Sequence, residues 1–374
     1  MEPNQSSEPY RLLFPLGLLA AGTGILLWPL IGHELLSLYP RQNHGSIMYA
    51  GFLWSFISGF LMSAVPRMTF TSPATRRETI IAVALVITQV GLSLIGQIDW
   101  AIGLFAFQLL ALAYFLGHRI SPGRKLPFDG FIFLPFAFLM AILGLLKYFA
   151  FSDTDPTANV TAFMNVAYQA FALNLILGVG SRMLPVLMRV PGSLNPVANP
   201  RQSKHAEFVL FAVLLNLTFI IDSRYAQGAG RGILLAVYSY RHLKVFSRSS
   251  TRSFLAWGVR AAVVAMILGY FCLSFVQDQL ATQHLVFISG FSLITLMVAT
   301  RTTLTHANQS MDHELNSPHL LAVSALLIIA AATRLMTPPG LAQIWLLDLS
   351  AGLFLTSLGV WLHGFARYLR PLGP

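Results

Sequence analysis

The chain has 374 residues, 55% of them hydrophobic and only 10% charged, with a net charge of +10 and a mean hydropathy of +0.66. Soluble domains are about one-quarter charged, so this composition excludes a water-soluble globular protein. The single cysteine, Cys272, excludes a disulfide, a cysteine-based zinc site or an iron–sulfur cluster within the chain, and no C-x-x-C-H stretch offers covalent haem attachment.

Twelve apolar stretches of roughly bilayer-spanning length follow in order. They are 12–32, 45–66, 79–97, 99–117, 127–150, 160–181, 206–221, 230–246, 254–276, 283–300, 318–336 and 342–366. The seventh, eighth and tenth are short or interrupted. The predicted class is an all-α polytopic membrane protein, with residues 1–374 forming one integral membrane domain. MEPNQSSEPYR carries two acidic residues and no basic n-region, so the first span is expected to stay as an anchor. A polar linker with three prolines, residues 189–207, falls midway along the chain.

The basic residues sort by side. With the N-terminus in the cytoplasm, eighteen of 24 Lys and Arg fall at the termini or in the even-numbered loops, while Glu34, Asp99, Asp153, Asp155, Asp222, Asp278 and Asp348 face the other side. This is the positive-inside pattern. It predicts both termini inside and explains the net charge by orientation in the bilayer, without a nucleic-acid partner.

A longer period underlies the spans. SAVPRM (63–68), GVGSRM (178–183) and VATRTT (298–303) each place an arginine at the cytoplasmic end of a span: Arg67, Arg182 and Arg301. The spacings of 115 and 119 residues suggest three four-helix units. A snorkelling arginine at a helix end accounts for any one of these alone.

Most of the ten histidines lie near span boundaries, where an interfacial polar role suffices. His44 and His284 stand apart, because the topology puts both at the outer ends of their spans, where they suit a shared haem iron or a copper. Met48 follows His44 by one turn and adds a thioether on the same helix face. His306 lies 22 residues beyond His284, about 33 Å along a helix, so it belongs to the opposite end. With Arg67, Arg182 and Arg301 it would form a basic cluster suited to haem propionates or a small anion.

Four stretches resemble a known family. They are YRLLFPLGLLAAGTGILLWPL (10–30), GFLWSFISGFLMSAVPR (51–67), GVGSRMLPVLM (178–188) and HLVFISGFSLITLMVATRTTLTHAN (284–308). Together they are similar to the NnrS family of bacterial membrane proteins, described as containing haem and copper and linked to nitric oxide and denitrification. The resemblance implies non-covalent haem, with copper beside it, in an inner-membrane protein of the nitrosative-stress response, and nitric oxide or another small ligand as partner. The family often carries W-H-A-H-E-M before the second span. Here the aligned residues are Asn43, His44, Gly45, Ser46, Ile47 and Met48, so one histidine and the glutamate are replaced. That departure bears on copper more than on haem. No acid–base pair for catalysis stands out, so binding or protection is expected as readily as turnover. Twelve spans also fit a secondary transporter of a small anion or metabolite, and a haem- or copper-insertion factor would use the same residues.

Overall fold

The computed structural model describes residues 8–36, 41–120, 128–150, 156–193, 204–337 and 344–370. Asp153, Asp155 and linker residues 194–203 lie outside the described residues. Among those described, every regular element is helical. Twelve helices match the twelve predicted stretches: α1 (Tyr10–Gly32), α2 (Arg41–Thr69), α3 (Arg76–Leu94), α4 (Ile98–Arg119), α5 (Phe133–Ala150), α6 (Asn159–Leu187), α7 (His205–Ile220), α8 (226–243), α9 (Phe254–Leu273), α10 (Gln279–His306), α11 (Pro318–Leu335) and α12 (Ile344–Phe365).

Ten of these helices are long and apolar enough to cross a membrane, and the chain is an all-α polytopic membrane protein. The two exceptions are two of the three stretches that looked weakest in sequence; the third, the tenth, forms a 28-residue helix that qualifies. α7 has only 16 residues, about 24 Å of helix, and α8 carries Arg231 between its two π-helical turns and Arg241 within the second.

The chain divides into two compact units. Unit 1 comprises Met1–Pro127, Thr302–Asn308 and Phe365–Pro374, and unit 2 comprises Phe128–Arg301 and Gln309–Gly364. Unit 1 thus contains α1–α4. α1 packs along α2, and α3 pairs with α4. Thr75 caps α3 by a reciprocal bond with Glu78, and Arg119 from the end of α4 clamps both oxygens of that carboxylate at 3.0 and 3.1 Å.

Unit 2 repeats the first motif twice. α5 packs along α6, and α9 along α10. The close fit is clearest at Gly144 of α5, where a Cβ would lie 2.8 Å from the backbone nitrogen of Ala167. Small residues let helix backbones approach in this way where water supplies no driving force. Short α7 docks on α6 through an exchange of amide hydrogen bonds between Asn174 and Asn216, at 2.8 and 3.0 Å.

The three helices at the expected repeat positions share a feature hidden in the sequence. α2, α6 and α10 have 29, 29 and 28 residues. Each widens to π-helical turns in its first half, at Ile47–Leu53, Met164–Gln169 and Leu285–Ser292, and each carries its arginine in the second half. Such turns insert extra residues into a helix and occur frequently at functional sites.

Candidate functional site

His44 lies one turn before the first π segment of α2. Its Nδ1 is 2.8 Å from the carbonyl oxygen of Gly24 on α1. A carbonyl only accepts, so the ring donates from Nδ1 and the lone pair of the neutral imidazole sits on Nε2. Trp28 meets the ring edge-on with centroids 5.8 Å apart. Met48 comes to the same place: its Sδ would be 3.1 Å from a Cβ at Gly24. Glycine at 24 therefore makes room for Met48 and for Ile47, whose Cγ2 would also lie 3.1 Å from a Cβ there. His44 and Met48 thus both approach Gly24, within unit 1.

Ser46, which replaces the family's second histidine, turns the other way. It is fully buried and bonds to Ser93 at 2.8 Å and to Gln89 at 3.1 Å on α3. Asn43 adds a bond to the Ser93 carbonyl at 2.7 Å. These residues tie α2 to α3.

His284 lies in unit 2, immediately before the π segment of α10. Its Nδ1 is 2.7 Å from the Leu280 carbonyl oxygen one turn earlier, so the same reasoning assigns Nδ1–H and places the lone pair on Nε2. Asp278 caps this helix by accepting from the Ala281 amide at 3.0 Å. Phe287 stands edge-on at 6.4 Å. Among the described residues, no group of three or more His, Cys, Asp or Glu is placed to hold a metal ion.

The four cations predicted at the other helix ends fall into separate surroundings. In unit 1, Glu8 bonds to Arg67 at 2.7 Å through one oxygen and to His306 Nδ1 at 2.9 Å through the other. Tyr10 packs edge-on against the His306 ring at 5.1 Å. Burial pushes the Glu8 carboxyl up, but the His306 hydrogen bond and charge, joined by Arg67, hold it below its ordinary value. A cavity of about 480 Å³ opens beside Glu8 and Arg67, lined also by Met62, Ser63, Pro66 and Phe70. In unit 2, Arg301 pairs with Glu314, which also takes Arg189 at 3.2 Å. Glu314 is fully buried. Arg182, exposed, has its guanidinium 5.6 Å from the Phe128 ring centroid.

Sequence reasoning missed Glu8, Glu314 and Arg189. Two carboxylates on the predominantly basic side were the available signal. It also treated His319 and His363 as weak; unit 2 brings their rings to 5.5 Å.

Long apolar helices, internally repeated and bearing buried ion pairs, define a multi-pass all-α membrane protein. The chain matches the family model described as NnrS protein over residues 5–371, nearly its whole length, and it belongs to that family. No curated protein matches it.

Proposed function

We propose that this chain is a non-covalent haem protein of the bacterial inner membrane, with both termini cytoplasmic, acting in the response to nitric oxide. The observation that carries the reading is the fixed tautomer of its two distinctive histidines. A metal-binding histidine almost always donates its second ring nitrogen to a carbonyl, carboxylate or water, which orients the ring and raises its basicity. His44 does so to Gly24 and His284 to Leu280, which orients each ring and assigns its acceptor lone pair to Nε2. The argument for His44 rests on unit 1 alone and that for His284 on unit 2 alone.

Haem, when bound, supplies an iron that takes diatomic ligands such as nitric oxide. The residues around each histidine hold the imidazole in place and give it an apolar wall, Trp28 and Phe287 serving His44 and His284 in turn. Met48 favours a second reading, copper. A thioether and an imidazole make a soft donor pair, and Met48 and His44 both approach Gly24. Arg67, Arg182, Arg301 and His306 would steady propionates or another anion at the opposite helix ends, in competition with Glu8 and Glu314 for three of them.

The test is an optical spectrum of the detergent-purified protein, oxidised, dithionite-reduced and then exposed to nitric oxide, with metal analysis on the same sample. A Soret band that shifts on reduction and again with nitric oxide is expected. A colourless, metal-free protein from haem-replete cells contradicts the proposal. For copper, Met48→Leu is expected to lower the metal bound per chain while leaving any Soret band in place.

A further inference from the structure

We infer that Arg231, Gln169 and Tyr270 form a binding site for a small monovalent anion in the interior of unit 2. No residue is shared with the histidine sites, so this stands apart from the haem reading.

Arg231 is only 3% exposed. It donates from Nε to Thr218 Oγ1 at 3.1 Å, from Nη1 to Gln169 Oε1 at 3.0 Å and from Nη2 to the Thr218 carbonyl at 3.0 Å. Its guanidinium stacks on Phe219 at 3.4 Å and lies 5.0 Å from the Tyr270 ring centroid. Every one of these acceptors is neutral. Among the described residues no carboxylate is bonded to it, and its charge is met by neutral groups alone. Isolated buried charges cost several kcal/mol, and an ionisable group at membrane depth is a functional candidate by default.

Several protons around the guanidinium are in want of an acceptor. A guanidinium has five N–H groups, and the three bonds above leave two, one on each terminal nitrogen, with the Tyr270 hydroxyl oxygen near enough to accept from one of them. The Tyr270 hydroxyl is fully buried and finds no acceptor for its proton, and the buried Nε2 of Gln169 has none either. A core that merely needed a staple would not collect unmatched donors around an unmatched cation. An anion satisfies both deficits. One net positive charge selects a monovalent ion, and close aromatic walls select a small one, either chloride or a planar oxoanion of nitrate size.

Both polar residues adjoin π-helical turns. Gln169 closes the π segment of α6, and Arg231 directly follows the π turn Ala226–Gly230. Exposed Tyr225 is six residues earlier, about 9 Å along a helix. The competing account is that Arg231 caps α7, whose final carbonyls include Thr218. That explains two of its three bonds and leaves Tyr270 and Gln169 Nε2 unexplained.

The experiment uses the full chain in detergent, in sodium gluconate at fixed ionic strength, titrated with sodium chloride or sodium nitrate. Thermal midpoint and calorimetric binding are read together. The midpoint is expected to rise to a plateau with at least one of these ions, and a response to only one identifies which source supplies the site. Tyr270→Phe, which deletes only a hydroxyl, is expected to weaken that binding about tenfold, the loss of one hydrogen bond to a charge. Its own midpoint in gluconate is the baseline for that comparison. Arg231→Lys tests the charge separately and is expected to weaken binding further. An equal midpoint in all three salts, or a non-saturating rise identical in Tyr270→Phe, overturns the proposal and leaves Arg231 a cap on α7.

Discussion

Glu8 in unit 1 and Glu314 in unit 2 are each held by two cationic side chains, but water reaches them unequally. Glu8 keeps 22% of its side chain exposed beside a cavity, with Arg67 half in solvent; Glu314 keeps none. Solvent screens the first cluster and leaves little net energy in it. The second depends on its own pairing, because each partner is costly to bury alone. One arrangement of charges is therefore a surface latch in unit 1 and a structural keystone in unit 2.

Removing the carboxylate at each place separates these roles. Glu314→Ala leaves Arg189 and Arg301 facing one another and should cost about 3–5 kcal/mol, read as a large fall in thermal midpoint or in folded yield. A variant of wild-type stability would show that water reaches the cluster. Next in size is Gly144→Ala. Its new Cβ meets the backbone of Ala167 in the π segment of α6, and overpacking of this kind costs about 1–3 kcal/mol. An unchanged midpoint would mean that the segment yields easily.

The smallest effect is at Glu8. Glu8→Gln should cost under about 1 kcal/mol at neutral pH, and its pH dependence has a definite sign. The folded carboxyl titrates below its ordinary 4.5, so the stability it contributes is complete above that value and is lost as pH falls through the lowered one. The difference in midpoint between wild type and Glu8→Gln is therefore expected to be positive at pH 6 and to shrink below pH 4.5. A difference that grows on acidification would show that Glu8 is not held as an ion.

Much of the architecture was legible because hydropathy reports directly on the bilayer. All twelve stretches became helices, and the two that fall short of a span were among the three weakest, the tenth proving long enough. The spacing of Arg67, Arg182 and Arg301 led to α2, α6 and α10, whose common π turns strengthen the repeat. Those turns were not themselves legible, since one inserted residue barely disturbs the pattern of a helix that is apolar all round. Nor was the bond from His44 to Gly24, which joins residues 20 apart through the close approach of two helices. Arg231 was passed over inside the eighth stretch; a lone arginine there reads as an interruption until its neighbours are seen to be donors. The split of the basic residues between Glu8 and Glu314 depends on chain folding that spacing does not encode.

The most direct test of the account is the Soret spectrum and haem content of His44→Ala and His284→Ala beside wild type, each recorded with and without added imidazole. Ligation through Nε2 predicts that each variant loses or shifts the band and that imidazole restores it. Wild-type haem content and unshifted bands in both variants would contradict the assignment of these histidines as ligands.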